Sequence, residues 1–163
     1  MQPASIGTLD SELGGGRVRL AGQVRTPALL SVADLRMLPQ QEAEVSFSCR
    51  KSGVRRHHFT GPLLVEVVHA VEPIFDPDER KDRLRFLVSV LGSDGHRAVL
   101  SWGEIDPEFG NAPVLPSVRM DGDDLDEQGP HLVVPGDRSG GRHISRITEI
   151  RICADACLRN RSG

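Results

Sequence analysis

The sequence of 163 residues contains no long apolar run, no tyrosine and only three cysteines. A membrane-spanning helix needs about 20 consecutive apolar residues, so we expect no membrane partner. The first residues lack the basic and apolar regions of a secretory signal, and 1–16 is predicted to be a flexible leader. These absences predict a cytoplasmic protein whose cysteines are thiols rather than disulfides.

Lysine is nearly absent, and arginine supplies most of the 20 basic residues. The net charge of −3 gives no electrostatic reason to expect a nucleic acid partner. The sequence has no Walker loop, no GxGxxG motif and no GxSxG elbow, so nucleotide binding and serine hydrolysis are not indicated. A small-molecule substrate or a redox partner stays open.

The apolar pattern predicts one α+β, mainly β domain over 17–152 with mixed sheets and short helices, followed by a tail over 153–163. The clearest strand is 43–49, where Val45, Phe47 and Cys49 alternate with two serines. Its apolar face predicts a central strand. The helical spacing of 63–71 predicts a helix that packs on it.

Other elements follow from shorter signals. Two capping boxes, Ser31 with Asp34 and Ser101 with Glu104, predict short helices. An Asp-Gly pair at 94–95 predicts a hairpin turn, because these residues tolerate positive φ. Further strands are predicted over 17–21, 84–91, 96–100, 114–120, 132–134 and 143–152.

A basic segment, Arg55-Arg56-His57-His58, separates the predicted central strand from the predicted helix. Such a run is typical of a solvated loop. Because arginine grips phosphate in two places at once, the run is also a candidate anion site. Both interpretations stay open from the residues alone.

The order of four segments resembles the oxidoreductase molybdopterin-binding domain of the sulfite oxidase family. They are GQVRTPALLSVADLRMLP, VSFSCRKSGVRRHHFTGPLLVEVV, VSVLGSDGHRAVLSWGEI and VLPSVRMDGDDLDEQGPHLVVPGDRSGGRHISRITEIRI. Each motif is weak alone, but four in the family's order make a specific resemblance. It implies the family's fold, in a short form without the second domain of those enzymes.

The resemblance also implies a cofactor and its contacts. In the family a molybdenum ion is held by a pterin dithiolene and by one cysteine thiolate, and Cys49 stands at that position. A soft thiolate suits such a metal. The resemblance assigns contacts with the pterin and its phosphate to eight basic or polar residues: Arg50, Arg55, Arg56, His57, Arg142, His143, Ser145 and Arg146.

Two functions follow as hypotheses. The first is a molybdopterin-dependent oxidoreductase, or a subunit of one, that transfers oxygen atoms or electrons at a metal held by Cys49. The second is a cofactor-free binding or interaction module that keeps the fold and has lost catalysis. The second draws on three features: the family's active-site tyrosine is absent, its upstream segment has no match in 1–16, and the chain is small. His131 is a further departure, since the family usually has arginine there. Cys49 would then be a buried structural residue.

Overall fold

The computed structural model describes residues 15–51 and 53–158, apart from the side chains of Cys49 and Cys157. The predicted leader lies outside this part except for its last two residues, and so does the end of the predicted tail, 159–163. The strands are β1 (Val18–Gly22), β2 (Ala28–Leu30), β3 (Gln40–Cys49), β4 (Gly53–Pro62), β5 (Phe86–Gly92), β6 (Arg97–Ser101), β7 (Leu115–Ser117), β8 (Arg119–Met120), β9 (Asp123–Asp124), β10 (His131–Val133) and β11 (Ile147–Ala154). The α-helices are α1 (Val32–Arg36), α2 (Leu64–His69) and α3 (Trp102–Ile105), and 3₁₀ turns cover Arg80–Arg85, Gly140–Arg142 and Ala156–Leu158.

Five strands form the main sheet, in the order β2-β1-β11-β5-β6. β1 runs parallel to β11, and the other neighbours are antiparallel. β5 alternates strictly between buried and half-buried residues, the pattern of a strand that presents one face to a core. Mixed sheets with few short helices confirm the predicted mainly β, α+β fold class.

The core of the domain lies against the main sheet. Strand residues such as Leu20, Val88 and Ile150 are fully buried there. The same cluster takes in Leu35 from α1 and Trp102 from α3. The capping box that opens α1 is present as predicted, with Ser31 and Asp34 bonded in both directions. At α3, by contrast, Ser101 makes no side-chain cap, so that predicted capping box is wrong.

Four strands form a second sheet, the hairpin sheet, in the order β3-β4-β8-β9. Its long hairpin pairs β3 with β4 over ten residues each, from Gln40 opposite Pro62 to Cys49 opposite Gly53. Two corrections follow. The strand predicted to be central is an edge strand, and the basic segment predicted as a loop is part of β4. A third correction concerns α2, which packs into the main core rather than on β3.

The hairpin sheet has a small core of its own, made of Val45, Phe59, Leu115 and Val133. β7 and β10, which pair with each other, supply the last two. Gly61 permits this contact, because an added Cβ would lie 2.5 Å from the Pro116 carbonyl oxygen. The small core closes one end of the hairpin sheet and leaves the rest of its inner face open.

Candidate functional site

A cavity of about 400 Å³ opens on the inner face of the hairpin sheet. β3, β4, β8, β10 and the segment before β11 contribute its walls. Gly140 approaches the Phe47 ring closely, since an added Cβ would lie 2.9 Å from it. We call it the histidine cavity after three of its lining residues, which are Phe47, Ser48, His57, Met120, His131, Gly140, His143 and Ser145.

His57 enters the cavity from β4, on the same strand face as the buried Phe59. Its Nδ1 lies 2.6 Å from Oδ2 of Asp121, and Oδ1 of Asp121 accepts the backbone N–H of His58 at 2.8 Å. The hydrogen bond from His57, helped by that from His58, lowers the pKa of Asp121 below its ordinary value. An ionised carboxylate only accepts hydrogen bonds, so Nδ1 of His57 carries the proton.

His143 lies deeper in the cavity, against the rings of Phe47 and Phe59 at centroid distances of 5.0 and 5.7 Å. Burial, followed by the neighbouring His131 and His57, lowers the pKa of His143 to about 4. The imidazole is therefore neutral at pH 7. Its Nδ1 is buried and has no hydrogen-bond partner in the structure.

His131 comes from β10 and is 8% exposed. Both of its ring nitrogens are buried and have no hydrogen-bond partner among the described residues. Burial, and then the charge of Arg146, lower the pKa of His131. A buried polar group without a partner costs about 1–3 kcal/mol. Two neighbouring neutral imidazoles in this state leave hydrogen-bonding atoms available to a ligand or to water.

A second cavity, of about 330 Å³, adjoins the first and shares His131 and Ser145 with it. Arg146 lines this second cavity, is exposed, and forms no ion pair within the described ranges. Its φ of +55° is unusual for a residue with a side chain, and such strain concentrates at functional sites. The second cavity therefore offers a cation next to the two neutral histidines.

The structure brings together only some of the predicted cofactor contacts. His57, His143 and Ser145 line the histidine cavity, and Arg146 lines its neighbour. Arg142 does not join them. It donates to Glu104 at 2.9 Å and to Asp137 at 2.6 Å, so two carboxylates already balance its charge.

The three arginines of the hairpin lie apart from the cavity lining. Arg50, Arg55 and Arg56 are exposed and have no ion pair in the part of the chain that the structure covers. Arg55 pairs across the hairpin with Phe47 and shares its face, whereas Arg56 pairs with Ser46 on the opposite face. At most Arg55 adjoins the rim of the histidine cavity.

Cys49, the predicted metal ligand, is the last residue of β3 and pairs with Gly53. Its side chain lies outside the described part of the structure. Among the side chains that are described, no group of three or more His, Cys, Asp or Glu residues is arranged to hold a metal ion. The role of Cys49 as a ligand stays a prediction.

Sequence reasoning missed two polar residues of the site, His131 and Asp121. The sequence identifies His131 only as a departure from the arginine that the resembled family usually has at this position. Its position was the available signal, since an imidazole there can also meet a ligand. Asp121 is 64 residues from His57, and no local pattern links two positions so far apart.

The fold has a match among solved structures. The sulfane dehydrogenase SoxCD from Paracoccus pantotrophus superposes with a TM-score of 0.65 and 16% sequence identity, over 86% of this chain and 38% of that chain. At this identity the likeness shows the fold. The chain spans well under half the length of the chain it matches.

Comparison of the sequence itself gave no match. No family model matches the chain, and no curated protein matches it either. None of the helices in the described ranges combines the length and apolar character needed to cross a bilayer.

Proposed function

We propose that the chain binds a molybdopterin cofactor in the histidine cavity and acts as an oxidoreductase, or as a subunit of one. Three observations support this. The fold resembles a solved dehydrogenase, four sequence segments resemble the molybdopterin-binding domain, and the cavity contains histidines that lack partners. The state of His131, buried with two unpartnered nitrogens, is the observation that carries the proposal.

The donor set of the cavity fits a pterin. A pterin is a flat ring system with several N–H donors and several nitrogen and oxygen acceptors at its edge. A neutral imidazole has one donor and one acceptor, so His131 and His143 match such an edge without bringing unbalanced charge into the cavity. Phe47 and Phe59 supply apolar surface beside them.

The anionic parts of the cofactor need other residues. Arg146 would meet the phosphate, because it is exposed and forms no ion pair within the described ranges, although Asp94 lines the same cavity. Cys49 would supply the thiolate for molybdenum, with Ser145 donating at the boundary of the two cavities. The bound group would supply oxygen-atom or electron transfer, while this chain supplies binding, orientation and shielding from water.

Metal and pterin analysis tests the proposal. Protein expressed in a host that makes the cofactor is expected to contain molybdenum and pterin in near-equal amounts. Cys49→Ser is expected to lose most of the molybdenum while remaining folded. Cys153→Ser is the matched control, since Cys153 is a half-buried free cysteine on β11, and it is expected to retain both.

The alternative is a cofactor-free binding module. It is favoured by the exposed positions of Arg50, Arg55 and Arg56 and by the carboxylates that occupy Arg142. Among the arginines that the resemblance assigned to cofactor binding, Arg146 is the one whose side chain lines one of the two cavities. Wild-type protein from a competent host that contains neither molybdenum nor pterin would rule out the cofactor and leave this module.

A further inference from the structure

We propose that His57 and Asp121 form a proton-transfer dyad, in which Asp121 fixes the tautomer of His57 and Nε2 of His57 accepts a proton from a ligand or water in the histidine cavity. The dyad is absent from the residues that the family resemblance assigned, which include His57 only as a cofactor contact. Its catalytic use rests on the proposed function, but its geometry does not.

The hydrogen bonds of Asp121 fix the tautomer of His57. Asp121 uses both carboxylate oxygens, one for the His58 N–H and one for Nδ1 of His57. The backbone closes the same arrangement, because the Asp121 N–H donates to the His58 carbonyl at 2.7 Å. With Nδ1–H committed to the carboxylate, the lone pair of the ring is on Nε2.

Nε2 of His57 is accessible. Nε2 of His57 has no hydrogen-bond partner in the described part of the protein and is not among its sealed polar atoms. The side chain retains 22% of its exposure while it lines the cavity. Nε2 can therefore reach both a ligand and bulk water.

The environment of His57 differs from that of the two neighbouring imidazoles. Low pKa values keep His131 and His143 neutral, so neither is suited to hold a proton at pH 7. His57 alone among the three has a carboxylate to balance the imidazolium charge. An aspartate in that position holds a histidine in orientation and stabilises its charged form.

The proton transfer itself is simple. An O–H bond of the ligand or water breaks, its electron pair stays on the oxygen, and an Nε2–H bond forms. The imidazolium then releases the proton to solvent through the exposed side of the ring.

The test replaces Asp121 by asparagine. Because the His58 N–H needs an acceptor, the amide oxygen is expected to turn toward it, so the amide NH₂ faces His57. Nδ1 must then accept, and the ring switches to the Nε2–H tautomer. Two-bond ¹H–¹⁵N spectra of cofactor-free, histidine-labelled protein report this directly. Asp123→Asn makes the same charge change two residues away and is expected to leave the tautomer unchanged.

A chemical probe measures whether Nε2 is available. Diethyl pyrocarbonate acylates an unprotonated imidazole nitrogen, and mass spectrometry resolves the rate at each histidine. Asp121→Asn is expected to slow acylation at His57 about tenfold, the ratio that corresponds to 1.36 kcal/mol, with His58 unaffected. An unchanged tautomer or an unchanged rate at His57 would overturn the dyad. Both readouts use cofactor-free protein, so absence of molybdenum would defeat the proposed function and leave this result standing.

Discussion

The regions beside the main sheet and beside the hairpin sheet differ in whether their buried polar groups are hydrogen-bonded. Beside the main sheet, the Asp106 carboxylate is 1% exposed and accepts from Trp102 Nε1, Arg83 Nη1 and the Glu108 N–H. Burial would raise the pKa of Asp106, but these bonds outweigh it and lower the pKa. Beside the hairpin sheet, His131 is 8% exposed, and its ring has no hydrogen-bond partner within the described ranges. The buried polar groups of the first region are satisfied, whereas the second region leaves buried polar groups unpaired at a cost in stability.

The largest expected effect on stability comes from a substitution in the main core. Trp102→Ala removes a fully buried indole and strips Asp106 of one donor, so we expect unfolding to become easier by about 4 kcal/mol. Urea denaturation followed by far-UV circular dichroism measures this, since Trp102 is the sole tryptophan. Met37→Ala, at a side chain 86% exposed, is expected to cost under about 0.5 kcal/mol. A loss below about 2 kcal/mol for Trp102→Ala would contradict the comparison.

The second effect is a pH dependence that comes from the hairpin region. The pKa of His143 is about 4 in the folded protein against 6.5 ordinarily, because of burial and the nearby histidines. Between these values the unfolded chain binds more protons, so stability falls as the pH drops from 6.5 to 4. We expect a loss of about 2 kcal/mol, below the full value of the shift because the ring is partly exposed.

His143→Phe isolates that contribution, since phenylalanine fills similar space and does not titrate. The difference between the unfolding free energies of the two proteins is expected to change across pH 6.5 to 4 and to be constant above pH 7. Parallel curves through the whole range would show that His143 titrates normally.

The third effect is a gain in stability. His131→Leu removes two unpartnered ring nitrogens from a buried position, and we expect stabilisation by about 1 kcal/mol together with loss of cofactor binding. His96→Leu, at an exposed histidine on the β5–β6 turn, serves as the control and should change stability little. Urea denaturation of the cofactor-free proteins gives the comparison. A destabilised His131→Leu would mean that the imidazole contributes to the fold.

The smallest effect concerns the ion pairs that link the two regions. Arg142 holds Glu104 of α3 and Asp137 of the loop before His143. These groups are partly exposed, so Arg142→Met is expected to lower stability by only about 0.5 kcal/mol. Arg151→Met breaks a more exposed pair with Glu149 and is expected to cost less. If urea denaturation gave the same loss of stability for Arg142→Met and Arg151→Met, the ion pairs of Arg142 would contribute no more than an ordinary surface pair.

Alternation and helical spacing predicted the elements whose apolar residues face a core. β3 and α2 are examples, with bounds within a few residues of the structure. β4 was not predicted because its first half is mostly polar and lacks an alternating apolar pattern. Pairing with β3, rather than its own pattern, makes it a strand. For the same reason the sequence could not show that β3 is an edge strand, since the order of strands depends on contacts between distant segments.

The residues of the candidate site were also predicted only in part. The family resemblance pointed to His57, His143, Ser145 and Arg146, and the structure gathers these around the two cavities. It could not foresee that carboxylates occupy Arg142, because Glu104 and Asp137 come from different elements. The missing partners of His131 are likewise a property of packing, which no single-sequence pattern records.

We expect the boundary between the two cavities to distinguish ligands by length. His131 and Ser145 belong to both, so a compact molecule can occupy the first cavity and meet only neutral groups and the aspartate-backed His57. A longer anionic molecule passes that boundary and reaches Arg146. Because salt screens charge interactions at an exposed arginine, affinity for the longer ligand should fall with rising ionic strength, while affinity for the compact one stays nearly constant.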